Sequence, residues 1–274
     1  MIFVDKQLSQ RFERTEAHVN ADFVETRARI EPEHGAAWIE VGGAYAMYDG
    51  AQSPLTQTFG LGMFEDATAA HLDEIEAFFA TRNAPVFHEV SPMTDPSLME
   101  LLATRGYRPV EFTSVMYREL SGELSEDIES RNKNKDLTTR VIKPDEVELW
   151  ARTSADGWHA EYEELGEFMF NFGSIGAQCA GAFPYITEIN GVAIATGMLF
   201  IHDDICMLAG ASTIPEGRNK GAQSALLEDR LVLATSRGCK LALMGATPGS
   251  QSQKNAQKNG FQIAYTRTKW QKIV

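Results

Sequence analysis

The amino-acid sequence predicts a mixed α/β (α+β) protein of two tandem domains, each a mixed, mostly antiparallel sheet flanked by helices. Helix and strand patterns alternate along the whole chain, with short polar or glycine-containing breaks between them. When the chain is shifted by 154 residues, Gly106-Tyr107 falls on Gly260-Phe261 and residues 86–90 fall on 240–244. A polar stretch at 121–136 has little that could be buried, which indicates a linker between two halves.

The N-terminal half begins with apolar residues spaced four and seven apart. Leu8, Phe12, Val19 and Phe23 would share one face of a helix, or of a pair of helices. Runs of strand-forming residues follow, separated by glycine and proline. We expect strands at 37–41, 44–48, 57–64, 85–90 and up to residue 120, and helices at 66–81 and 96–105.

The C-terminal half repeats this order and contains a strong turn signal. Asn190-Gly191 separates two apolar runs, 185–189 and 192–201, and this dipeptide suits a type I′ turn because both central residues need a positive φ. We therefore expect a β-hairpin here. The other expected elements are strands at 138–142, 204–214, 240–245 and two from 261 onward, and helices at 144–156, 161–172, 221–237 and 251–259.

Charge argues against a nucleic-acid partner. The 274 residues include 38 acidic and 25 basic side chains, for a net charge of -13. A general nucleic-acid binder needs a surplus of Lys and Arg. Residues 201–274 nevertheless carry ten basic and five acidic side chains, hence +5, against -18 for residues 1–200. This asymmetry favours a local anionic ligand, although chance clustering is the alternative.

Cysteine spacing and hydropathy limit which other classes of protein the chain can belong to. Cys179, Cys206 and Cys239 are far apart and odd in number, so we expect neither a disulfide framework nor a metal site. The first residues are too charged for a secretory signal, and the longest apolar stretch, 191–201, is too short to cross a bilayer. We expect a cytoplasmic protein with no membrane partner.

The most specific segment runs from Thr213 to Leu227. A strand of small and β-branched residues leads into a loop that contains Gly217 and Gly221, and a helix follows at once. The backbone N–H groups and the dipole at a helix start favour an anion. Arg218 and Lys220 would add charge-assisted hydrogen bonds. The segment therefore predicts a phosphate-binding loop, with an unliganded helix start as the alternative.

With these residues the segment resembles the acetyl-CoA pyrophosphate motif of the GCN5-related N-acetyltransferase (GNAT) family, Q/R-x-x-G-x-G/A. Arg218 and Gly221 match, whereas Gln223 stands where the family has a small residue. The resemblance implies a degenerate GNAT-like domain at 1–120, a linker at 121–137 and an acetyltransferase domain with the acetyl-CoA site at 138–274. The acetyl-CoA contacts that it implies are Thr213, Ile214, Arg218, Asn219, Lys220, Gly221, Ala222, Gln223, Ser252 and Asn255.

The corresponding loop of the N-terminal copy is acidic. Glu65 and Asp66 stand where Arg218 and Lys220 would be, and carboxylates at a helix start repel a pyrophosphate. We therefore expect one acetyl-CoA site per chain. The N-terminal half would shape the acceptor pocket, bury a shared surface or form a homodimer interface.

The resemblance implies that an amine attacks the thioester directly, aided by a backbone N–H on the Ile214 strand, a base and an acid. In many members of the family a tyrosine acts as the acid, but its position is Ala256 here, so Tyr265 becomes the candidate acid. The alternative is that Tyr265, on a half-buried strand, belongs to the core or its rim. His159, beside a run of carboxylates, is the candidate base, although such a run is also typical of a solvated helix face. The expected acceptor is a small-molecule amine, cationic if those carboxylates attract it. The alternative is a non-catalytic acyl-CoA-binding or regulatory module.

Overall fold

A computed structural model describes residues 2–120, 136–159 and 165–273. Contacts divide the chain into two compact units, Met1–Arg118 with Met244–Val274, and Glu119–Leu243. In chain order the elements are α1 (Lys6–Ile30), β1 (Ala37–Val41), β2 (Ala44–Tyr48), β3 (Gln57–Phe59), α2 (Ala69–Ala80), β4 (Phe87–Val90), α3 (Ser97–Thr104), β5 (Tyr107–Glu119), β6 (Leu137–Val141), α4 (Val147–His159), α5 (Gly166–Gly176), β7 (Ala182–Ile189), β8 (Val192–His202), β9 (Ile205–Thr213), α6 (Ala222–Ser236), β10 (Leu241–Ala246), α7 (Gln251–Lys258) and β11 (Gln262–Lys272).

The first unit is a sheet with helices on both faces. Its strand order is β1-β2-β3-β4-β11-β5, and neighbours are antiparallel except for the parallel pair β3 and β4. Side chains alternate between faces along β2, so Tyr45 and Met47 pack against α1, whereas Ala44 and Ala46 join the core under α2 and α3. Val24 of α1 is fully buried in the first of these cores.

The second unit contains the predicted hairpin. Its strands follow the order β6-β7-β8-β9-β10, antiparallel except for the parallel pair β9 and β10. Asn190 and Gly191 between β7 and β8 have φ of 52° and 77°, as a type I′ turn requires. Helix α4 packs on β7, β8 and β9, where Trp150 Nε1 donates to the carbonyl of Tyr185 at 2.8 Å.

The 154-residue repeat is visible in the elements themselves. Shifted by 154, α3 has the same bounds as α7, and both helices are followed by a glycine with φ of 82°, Gly106 and Gly260. Each copy also contains a strand, a helix and a parallel strand in succession, β3-α2-β4 and β9-α6-β10. The predicted mixed α/β fold with a repeated unit is confirmed.

Several boundaries differ from the sequence predictions. Residues Met244–Val274, which include α7 and β11, belong to the first compact unit instead of a self-contained domain at 138–274. One strand, β11, replaces the two strands expected from residue 261, because its pairing with β5 continues through two register shifts. The strand expected at 57–64 ends at Phe59. Most of the expected linker, 121–135, lies outside the described residues.

Within the described part of the chain, no helix combines the length and apolar character needed to cross a membrane.

Candidate functional site

Strand β9 runs beyond its pairing with β10. The two strands pair in parallel only from Ile205 with Leu241 to Met207 with Leu243. On its other side β9 follows β8 to Thr213, with a bulge in which Gly210 and Ala211 stand opposite the single residue Gly197. Both bulge residues are exposed, and Gly210 has a φ of 58°. β-Bulges interrupt regular pairing and are over-represented next to active sites.

Helix α4 touches the end of β9 through a glycine. A Cβ placed on Gly157 would lie 1.9 Å from Ser212 Oγ and 3.0 Å from Thr213 N, so only glycine permits this approach. Ser212 Oγ in turn donates to the carbonyl of Ser154 at 2.9 Å. The backbone at Ser212 and Thr213 is therefore fixed from the side of α4.

The loop after β9 has the geometry of an anion site. Residues Pro215–Gly217 form a single 3₁₀ turn, Arg218 is extended, and Asn219 and Gly221 have φ of 61° and 89°. Gly221 is the N-cap of α6 and has no side chain. The backbone N–H groups of the first turn, which have no intrahelical acceptors at any helix start, therefore have no N-cap side chain to bind here. Arg218, Asn219, Lys220 and Gly221 are exposed, whereas Ala222 is buried. The predicted phosphate loop is thus open to solvent and basic.

Gln223 stands at the motif position where a small residue is expected, and its side chain points toward β9. Its Nε2 donates to the carbonyl of Ser212 at 3.1 Å and to Thr213 Oγ1 at 2.6 Å. The amide is thereby committed to the strand, and the long side chain is compatible with an open loop.

The positive charge of residues 201–274 does not form one surface. Arg230 is buried and donates to two backbone carbonyls, those of Met198 and Leu226. Three more basic residues belong to the first unit and pair with carboxylates there: Arg267, Lys269 and Lys272. Charge asymmetry along the sequence therefore overstated the field at the loop, where Arg218 and Lys220 lie.

Three predicted acetyl-CoA contacts differ from expectation. Ile214 N donates to the carbonyl of Ile194 at 3.0 Å, so this N–H is not available to a ligand. Ser252 and Asn255 lie on α7, in the first compact unit, whereas the loop belongs to the second. The exposed bulge residues Gly210 and Ala211 were missed, and the run of small residues at 209–212 was the available signal.

Tyr265 occupies a buried ionic cluster instead of an accessible position. It is 6% exposed, and its hydroxyl donates to Glu13 Oε1 at 2.7 Å. Burial and the neighbouring Glu13 carboxylate raise the pKa of Tyr265 well above its usual range. The phenol belongs to the first unit and is inaccessible, which contradicts its predicted role as the acid. Ala256, also buried, supplies no alternative.

The same cluster holds a carboxyl group with an unusual pKa. Arg267 Nη1 lies 2.7 Å from Glu16 Oε2 and 3.4 Å from Glu13 Oε2, and its Nε lies 3.0 Å from Glu89 Oε2. Burial raises the pKa of Glu13 to about 7, against the opposing charge of Arg267. Arg267 and these three carboxylates form one network of ion pairs inside the first unit.

His159 is the last residue of α4 and is exposed, two residues beyond the glycine that touches Thr213. The structure therefore brings its helix to the end of β9, as the prediction requires. The carboxylates at 161, 163 and 164 lie outside the described residues. Glu167 is described, and it lies 3.6 Å from Arg152 in an exposed ion pair.

The matching loop of the first unit is buried in its first part, whereas Glu65 and Asp66 are exposed. Leu61 and Met63 are each 1% exposed, and the carbonyl of Met63 accepts from Gln10 Nε2 at 2.6 Å. Helix α2 begins at Ala69, and Thr68 Oγ1 accepts from His71 N at 3.2 Å. The side chain of Thr68, instead of the expected carboxylates, therefore caps this helix. The expected single acetyl-CoA site per chain stays a prediction.

No protein-family model matches the sequence, and no curated protein matches it. Solved structures match the fold. A GCN5-related N-acetyltransferase from Kribbella flavida is 16% identical, with a TM-score of 0.61 over 91% of this chain and 94% of that one. A tandem GNAT protein from the clavulanic acid biosynthesis pathway is 11% identical, with a TM-score of 0.55 over 95% and 94%.

A third similar structure is the C-terminal domain assigned to a lysylphosphatidylglycerol synthetase from Agrobacterium fabrum. It is 16% identical, with a TM-score of 0.53 over 93% of this chain and 92% of that one. At such identities the likeness concerns the fold alone. The chain has the mixed α/β fold of the GNAT acetyltransferases, in the tandem arrangement that the repeat predicted.

Proposed function

We propose that the protein is an acetyl-CoA-dependent N-acetyltransferase that acetylates an amine of a small molecule. The observation that supports this most directly is the open basic loop at an uncapped helix start, beside the bulged end of β9. The fold alone does not identify the acyl donor, because function has to be argued from the residues of the site. The loop favours a donor that carries a pyrophosphate.

In this proposal the chain contributes three things. The first turn of α6, with Arg218 and Lys220, binds the pyrophosphate. The edge of β9 that extends past its pairing with β10 binds the pantetheine arm as an added strand would be bound. A backbone N–H of the bulge at Gly210 and Ala211 faces the thioester oxygen as negative charge develops on it.

The acceptor would be an amine that enters in its neutral form or loses a proton to a base. His159 is the proposed base, because it ends the helix that touches Thr213. The nitrogen attacks the thioester carbon, the C–S bond breaks, and the acetyl group remains on nitrogen while coenzyme A departs as a thiol. The proton on the thiol comes from solvent in this scheme, since Tyr265 is buried.

Binding is the first test. Acetyl-CoA titrated into the full chain should bind, and Arg218→Glu should weaken binding by about tenfold or more, as expected for a lost charged hydrogen bond. Arg237→Glu is the matched control, because Arg237 follows the opposite end of the same helix, α6, and is also exposed. If acetyl-CoA does not bind the wild-type protein, the proposed function is wrong.

A non-catalytic acyl-CoA-binding module remains the second candidate. Two observations favour it: Ala256 stands where the family has the tyrosine that acts as the acid, and Tyr265 is buried. Release of free thiol from acetyl-CoA, measured with a panel of small amines, separates the two. Turnover with any amine supports the transferase. Tight binding without turnover across the panel supports the binding module.

A further inference from the structure

We infer that Gln223 is a positioning residue that holds the end of β9 in register with the start of α6. The inference rests on the proposed acetyl-CoA site and gives the side chain of Gln223 a role in holding the strand rather than in binding the ligand. The two hydrogen bonds of its amide, to the Ser212 carbonyl and to Thr213 Oγ1, join the strand to the helix.

Gln223 is the second residue of α6, so its own backbone N–H belongs to the first turn that would face the pyrophosphate. Its side chain reaches back ten and eleven residues along the chain to the strand. One residue therefore contributes to the phosphate end of the site and at the same time fixes the neighbouring strand. The part-buried setting of these bonds limits competition from water.

The strand end is held from the other side as well. Ser212 Oγ donates to Ser154 of α4, Gly157 lies against Thr213, and Ser212 pairs with Thr196 of β8. These contacts fix β9 relative to α4 and β8. Gln223 adds a direct side-chain link from β9 to the helix that begins at the phosphate loop.

This link matters because coenzyme A would touch both elements with one molecule. A ligand that spans two elements gains affinity from their preset geometry, and the gain falls when the geometry becomes looser. A ligand that touches only the helix start does not have this gain. Loss of the Gln223 amide should therefore reduce the affinity for coenzyme A more than the affinity for ADP, which has a pyrophosphate but no pantetheine arm.

The test compares coenzyme A and ADP as ligands of the full-length protein. Gln223→Met keeps the length of the side chain and removes both hydrogen-bond donors. We expect about tenfold weaker binding of coenzyme A and less than a twofold change for ADP. Thr213→Val, which removes one of the two acceptors, should give a smaller loss in the same direction.

Gln178→Met is the matched control. Gln178 Nε2, just after α5 in the same unit, donates to the carbonyl of Ser174 at 2.9 Å, and the loss of this bond should change the affinity for neither ligand. Equal losses for both ligands in Gln223→Met, or no loss for either, overturn the inference. A wild-type protein that binds neither ligand instead refutes the proposed acetyl-CoA site itself, and the inference with it.

Discussion

Glu13 should make the stability of the first unit decrease as the pH rises. Its carboxyl group is fully buried, and its pKa is raised to about 7 from an unfolded value near 4.5. The folded state therefore binds a proton more tightly than the unfolded state does. A raised pKa contributes stability that is fully present below about 4.5 and is lost as the pH passes through about 7.

The magnitude follows from the two pKa values. A difference of about 2.5 units corresponds to roughly 3 kcal/mol in total, of which about 2–3 kcal/mol is lost between pH 5 and pH 8. The neighbours that set this pKa come from three elements: Glu16 on α1, Glu89 on β4, and Tyr265 and Arg267 on β11. Protonated Glu13 can still accept the Tyr265 hydrogen bond while placing no third negative charge beside Arg267.

Glu13→Gln should remove this pH dependence. The amide keeps the shape of the carboxylic acid and an oxygen for Tyr265. Urea denaturation between pH 5 and pH 8 should show the variant gaining about 2–3 kcal/mol relative to the wild type as the pH rises. Glu25→Gln, on the exposed face of the same helix, is the control. Parallel curves for Glu13→Gln and the wild type across this range would refute the reasoning.

Three further predictions concern the candidate site and its counterpart in the first unit. Gly157→Ala should cost about 1–3 kcal/mol of stability, because its Cβ would lie 1.9 Å from Ser212 Oγ. Combining it with Ser212→Ala should recover part of this loss. Equal stability of Gly157→Ala and the wild type in urea would contradict the prediction. Calorimetry should give one acetyl-CoA per chain, because Leu61 and Met63 are buried and Glu65 and Asp66 are acidic in the matching loop of the first unit; a second site would contradict this. His159→Gln should lower kcat by about a hundredfold in the amine assay, while His202→Gln, at the end of β8 in the same unit, should retain it; equal rates would remove His159 as the base.

Local chemistry predicted much of the fold. The Asn190-Gly191 hairpin followed from the positive φ that both residues can adopt. The loop before α6 was predicted from glycine and basic residues between a strand and a helix, and the structure places Arg218, Asn219, Lys220 and Gly221 together on an exposed turn. These features depend on neighbours within a few residues, which a sequence pattern records directly.

Features formed by residues far apart in the chain could not be predicted in this way. Tyr265 and Glu13 are 252 residues apart, yet they share a buried hydrogen bond in the first unit. The pattern around Tyr265 indicated a half-buried strand and contained no signal for the carboxylates on α1 and β4. Likewise, nothing local to β11 shows that it pairs between β4 and β5. Tertiary pairing decides which unit contains β11, and therefore whether Tyr265 on that strand is buried or accessible.

The two loops occupy equivalent positions in the repeated fold, but the loop of the second unit is a candidate site and the loop of the first is a structural turn. Both follow a strand that runs parallel to the strand after the next helix. In the first unit, Thr68 accepts from an N–H of the helix start, and Leu61 and Met63 are buried. In the second, Gly221 supplies no cap and Gln223 bonds to the strand instead. The start of α6 therefore has no N-cap side chain and lies beside the exposed residues Arg218 and Lys220, which leaves its first N–H groups to water or to an anion.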